Sequence, residues 1–144
     1  MKVIREILLA MTLLLATITG AQAQCGDELM KQALGAMGNN QYIKDFDIKL
    51  SSATSKTGTK MSVVLNSRTK YQINVANGAK NAENVVIQIF DGDKLIGTNF
   101  FNGKVFDKFE FLCSKTGAYK FHVYCNAGGE ACARAVLSLV EQLK

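Results

Sequence analysis

The stretch Val85-Val86-Ile87-Gln88-Ile89-Phe90-Asp91-Gly92-Asp93-Lys94-Leu95-Ile96-Gly97-Thr98 is two β-rich apolar runs joined by a tight acidic turn. Asp-Gly between apolar runs is a strong hairpin signal, because Gly supplies the positive φ that such a turn needs. An all-antiparallel reading spreads from it in both directions. Downstream, residues 106–113 alternate Phe109 and Phe111 with Lys108 and Glu110, Thr116-Gly117 turns the chain, and Tyr119, Phe121, Val123 and Cys125 share a strand face. Upstream, Phe46, Ile48 and Leu50 alternate with Asp45, Asp47 and Lys49, and residues 61–65 and 70–75 are two further β-rich runs. Residues 51–60, SSATSKTGTK, hold no apolar anchor and read as a flexible loop.

The two ends of the chain need separate arguments. Residues 27–37 carry acidic groups early and Leu29, Ala33, Leu34 and Met37 at helical spacing, which predicts a short helix stopping at Gly38. Residues 131–143 are rich in helix formers, yet Ala133, Ala135, Leu137 and Leu139 alternate; we read a strand, paired through a Gly128-Gly129 turn with the strand ending at Cys125. About eight strands with turn signals between them define a mainly β protein, an antiparallel, jelly-roll-like β-sandwich with a short N-terminal helix.

The composition suits a folded domain: of 144 residues, 48% are apolar and 20% charged, with no Pro, no Trp, four Cys and one His. Lys2 and Arg5 precede an apolar run over 7–18 that ends in Ala21-Gln22-Ala23, so residues 1–23 read as a secretory signal peptide. That run is too short to span a bilayer, and no transmembrane segment is expected in the mature chain. Gln24 is not the small residue that a lipoprotein signal places before its Cys, so Cys25 is expected to carry no lipid. The mature chain, 24–144, is read as one domain, with a helical segment over 24–40 and the sandwich over 41–144. Cleavage leaves 15 basic and 11 acidic residues, a formal net charge of +4. The basic residues are scattered, so nucleic-acid binding is not expected.

An exported chain meets an oxidising compartment, where Cys25, Cys113, Cys125 and Cys132 are expected to form disulfides rather than a zinc site, since no C-x-x-C pair is present. Pairing 125 with 132 and 25 with 113 is favoured, with 113–132 and 25–125 as the alternative.

The strands VVIQIFDGDKLIG, FDKFEF, TGAYKFHVY and AVLSLV together resemble the bacterial pre-peptidase C-terminal type of domain over about residues 85–140. The chain is also similar to small uncharacterised exported proteins of Bacteroidetes-type bacteria, through Tyr42-Ile43-Lys44-Asp45-Phe46. The resemblance implies a sandwich with an extracytoplasmic binding or accessory role and implies no activity.

Catalytic signals are weak. His122, the sole imidazole, sits on a strand face with Lys120 and Tyr124, and no G-x-S-x-G turn accompanies it. Asp45 with Asp47, and Asp91 with Asp93, are carboxylates two apart, and neither pair lies in a recognisable catalytic frame. Asp91 and Asp93 are candidate calcium ligands, although Asp-Gly-Asp is more often a plain turn; no other cofactor is expected. Phe100-Phe101 exceeds what strand alternation requires, so one ring must face outward or be covered. Phe100 and Phe101 are therefore the leading candidate binding residues, followed by Tyr42 and Tyr71. The expected function is a non-enzymatic, exported binding or accessory module of the cell envelope or surface with a protein partner. A carbohydrate-binding module is the alternative, with a glycan partner, and a small envelope hydrolase or inhibitor is the second alternative. The expected location is periplasmic, outer-membrane-associated or extracellular.

Overall fold

A computed structural model describes residues 25–78 and 85–144. The expected signal peptide and its cleavage point lie outside the described residues. Among the described residues, one helix, α1 (Asp27–Ala36), precedes ten strands: β1 (Gln41–Leu50), β2 (Thr59–Leu65), β3 (Thr69–Asn77), β4 (Val86–Asp91), β5 (Lys94–Thr98), β6 (Phe100–Phe101), β7 (Lys104–Val105), β8 (Lys108–Cys113), β9 (Gly117–Tyr124) and β10 (Ala131–Gln142). Among the described residues, no helix is long and apolar enough to cross a membrane.

Eight strands form two four-stranded antiparallel sheets, ordered β1-β10-β3-β8 and β2-β9-β4-β5, while β6 and β7 pair only with each other. The hydrogen-bonded pairs β1·β10, β2·β9, β3·β8 and β4·β5 nest inside one another. The chain is thus a long two-stranded ribbon, closed at the β4–β5 turn and rolled into a sandwich, which is the jelly-roll arrangement.

Alternation decides what is inside. Phe46, Ile48 and Leu50 of β1, Ile73 and Val75 of β3 and Leu137 of β10 face Val63, Leu65, Ile87, Ile89, Phe121 and Val123 of the other sheet. Phe121 ties the layers together, with ring centroids 5.6 Å from Phe46 and 6.5 Å from Phe111. Gly97 of β5 makes room for these rings, since a Cβ there would come within 2.9 Å of Phe111.

The outer face of the first sheet is also covered at its centre. Leu29 and Ala33 of α1 pack on Ala76 and Val136 in a second apolar cluster. Asp27 and Glu28 occupy the first turn of α1, where the helix dipole favours acids, and Gly38 with φ +64° turns the chain after it. A disulfide between Cys25 and Cys132 fastens the start of the helix to β10.

That bond corrects the sequence reading, in which Cys125 pairs with Cys132 and Cys25 with Cys113, or else 113–132 and 25–125. Cys113 and Cys125 are buried thiols. The expected β9–β10 hairpin does not form, because the two strands belong to different sheets and residues 125–130 carry the chain between them, with Gly128 and Gly129 at positive φ. Cys125 therefore stays at the end of β9, in the core, while Cys132 points to the outer face of β10 where the helix begins. Cys113 and Cys125 lie at opposite ends of the sandwich, one beside the β8–β9 turn and the other beyond the far end of β9.

Residues 51–58 also differ from the expected loose loop. Ser55 is fully buried and its carbonyl accepts from the Cys125 N–H at 2.8 Å, while Gly58, φ +73°, lies so close to β9 that a Cβ would meet the Val123 carbonyl oxygen at 2.1 Å. Side-chain polarity conceals this anchor, because backbone groups make it.

Two stability predictions follow from these contacts. Replacing Cys25 or Cys132 with Ser opens a loop spanning a sequence separation of 107 residues. The expected cost in urea denaturation is about 2–4 kcal/mol. Gly58→Ala adds both a left-handed backbone and a backbone clash, so it is expected to cost more than about 1 kcal/mol on the same assay, whereas Gly92→Ala meets nothing and loses only the turn preference.

Candidate functional site

The Phe100-Phe101 pair belongs to a hairpin that the sequence reading did not identify. Asn102 and Gly103, at φ +50° and +74°, form its turn, and two successive left-handed residues are the signature of a type I′ connection. Phe100 lies opposite Val105 and Phe101 opposite Lys104. The strand alternation then turns Phe100 inward, where it is half-buried, and leaves Phe101 66% exposed beside the Lys104 side chain.

The base of this hairpin is held by Asn99, which is buried. Its Oδ1 accepts from the Ile87 N–H at 2.8 Å, and its Nδ2 donates to the carbonyls of Val85 at 3.0 Å and Phe106 at 3.1 Å. The Phe106 N–H also donates to the Asn99 carbonyl at 2.7 Å. The hairpin stands outside both sheets on this rigid footing, so presenting Phe101 and Lys104 costs little further ordering. Asn-Gly at 102–103 was the sequence signal for it. Nothing in the polarity of Asn99 marked it as a buried clamp.

A groove of about 470 Å³ crosses the outer face of the second sheet, between Lys60, Ser62, Lys120 and the Gly92-Asp93 turn. His122 lines an adjoining hollow with Phe90. Its Nε2 lies 2.9 Å from the Thr57 carbonyl and its Nδ1 3.2 Å from Gln88 Oε1, and its ring stacks on Tyr124 at 5.2 Å. The imidazole is thus on the face that alternation assigns to it, with both nitrogens engaged.

The carboxylate pairs have structural partners. Asp45 and Asp47 flank Arg134 at 3.8 and 3.5 Å, charge contacts that leave Arg134 Nε without hydrogen-bond geometry. Asp91 meets Lys115 at 3.4 Å, while Asp93 lines the groove beside Lys60 and Lys120. Among the described residues, no three His, Cys, Asp or Glu side chains gather as a metal site.

The two tyrosines separate. Tyr42 is exposed on edge strand β1 and donates to the Asp45 carboxylate, a hydrogen bond that raises its phenol pKa. Tyr71 is only 2% exposed, stacks on Phe111 and accepts from the Asn66 N–H at 3.0 Å. It is a core residue, which corrects its place among the binding candidates. Tyr119 is likewise a structural corner: buried, with its hydroxyl donating to the Lys115 carbonyl.

No protein-family model matches the chain. No curated protein matches it either. Among solved structures, the fold is similar to the crystal structure of PliG from Aeromonas hydrophila, a periplasmic lysozyme inhibitor of g-type lysozyme. The TM-score is 0.51 at 12% sequence identity, covering 69% of this chain and 88% of that one. At this identity the likeness is one of fold.

Cys113 provides a direct chemical check on the disulfide pairing and on the core. Burial pushes its thiol pKa above the ordinary 9.0, although a hydrogen bond with Tyr119 acts in the opposite direction. The folded state therefore holds the thiol proton to higher pH than the unfolded chain does, so this contribution to stability is present at neutral pH and is lost as pH climbs past the unfolded thiol value. The native protein is expected to give no fast reaction with a thiol reagent at pH 8, and two thiols per chain after denaturation without reductant. Four thiols would contradict the Cys25–Cys132 bond, and none would contradict the thiol state of Cys113 and Cys125.

Proposed function

We propose that this protein is an exported inhibitor that binds a cell-wall hydrolase of the lysozyme class and has no chemistry of its own. The observation that carries this reading is the likeness of its sandwich to a periplasmic inhibitor of g-type lysozyme over 88% of that chain. Export is supported by the signal-like residues 1–23 and by the disulfide, which suits an oxidising compartment. A protein partner is then a hydrolase, a narrower choice than an unspecified envelope or surface protein.

The hairpin chemistry fits such a partner. Hydrolases that cleave glycans present a concave cleft with paired carboxylates. Phe101 and Lys104 offer the complement, an aromatic anchor and a cation side by side on a convex, pre-ordered hairpin. The side chains of Lys60 and Lys120, which make no ion pair among the described residues, supply a second cationic face.

Lysis of peptidoglycan-bearing cells by lysozymes of several types, g-type first, tests the reading. Added protein is expected to suppress lysis by at least one type at near-stoichiometric ratio, and Phe101→Ser and Lys104→Ala are each expected to weaken that inhibition about tenfold without lowering stability. Undiminished lysis by every type at saturating protein overturns the proposal.

A further inference from the structure

A cleft of about 380 Å³ lies between α1, β3 and residues 106–108, separate from the groove described above. Its volume is at the lower end of the range for small-ligand sites, ~300–1,000 Å³. Asn74 lines it from the outer face of the first sheet and is only 1% exposed. The Asn74 Oδ1 accepts from Gln72 Nε2 at 3.2 Å, but its Nδ2, fully shielded from solvent, has no acceptor. Buried amide donors are almost always paired, so an orphan on the wall of a cleft calls for an oxygen from outside the chain.

The rest of the lining narrows the chemistry. Ala33 and Ala36 of the helix and Ala76 of β3 set methyl groups near Asn74. Gln32, Asp107 and Lys108 add an amide, a carboxylate and an ammonium at exposed positions, while Phe106 provides an aromatic wall. We propose that this cleft binds an N-acetylated amino sugar of a glycan. An acetamido group combines a carbonyl acceptor for Asn74 Nδ2 with a methyl for the alanine surface. Sugar hydroxyls match the mixed donors and acceptors at the opening, whose one carboxylate and one ammonium balance and suit a neutral ligand. The C–H face of a pyranose stacks on an aromatic ring such as Phe106. The inference does not depend on the inhibitor reading, since none of its residues belongs to the Phe101–Lys104 pair.

The test is a titration of the ¹⁵N-labelled protein with N,N′-diacetylchitobiose, using cellobiose, which lacks the acetamido groups, as the control. Saturable shifts are expected at residues 32–36, 74–76 and 106–108 with the first sugar and none with the second. Asn74→Leu and Ala36→Trp are each expected to lower the affinity at least tenfold. Ala36 is exposed, so its variant fills the cleft without disturbing the core and remains informative even where Asn74→Leu unfolds. No saturable shift, an equal response to cellobiose, or full binding by Ala36→Trp overturns the proposal.

Discussion

The placement of β10 governs this molecule. It is the final strand of the chain, yet it lies inside the first sheet, paired with β1 on one side and β3 on the other. Both α1 and β1 rest on it. Val136 offers the surface on which Leu29 and Ala33 of α1 pack, Cys132 bonds to Cys25, and Arg134 draws in Asp45 and Asp47. A ten-residue helix is too short to persist alone in water, so α1 exists because β10 and its neighbour β3 are there to receive it. The nested pairings make most contacts distant in sequence, a topology that folds slowly.

The ribbon also explains how much of the fold was legible. The β4–β5 hairpin is its closed end, and there the signals are local: apolar runs, Asp-Gly and a short return. Strand faces were legible for the same reason, since alternation needs only neighbours; Phe46, Ile48, Phe111 and Phe121 lie inward as the pattern requires. The disulfide was not legible, because the reading assumed that successive strands are partners, whereas β9 and β10 follow each other across the sandwich.

The site was less readable than the fold. Phe100-Phe101 stood out as an excess of apolar side chains, and the structure turns Phe101 outward and Phe100 inward through the Asn102-Gly103 connection. The residues that give the surface its shape are Asn74 and Asn99, both buried. Asparagine in a sequence suggests a turn or solvent, and neither its burial nor its amide partners leave a periodic trace. Asn99 has every amide group used, holding a hairpin to β4, whereas Asn74 keeps one donor unused, and that difference separates a structural clamp from a candidate ligand group.

The separation of Cys25 from Cys132 bears on how the molecule is made. In chain order Cys113 and Cys125 both stand between Cys25 and its true partner, Cys132. Oxidation of the unfolded chain would therefore meet the wrong partners first. What withdraws the two intermediate thiols is their enclosure at opposite ends of the core, which requires β8 and β9 to be in place. The bond can form only where Cys132 on β10 lies beside the start of the helix, so it serves as a record that this strand has closed the roll.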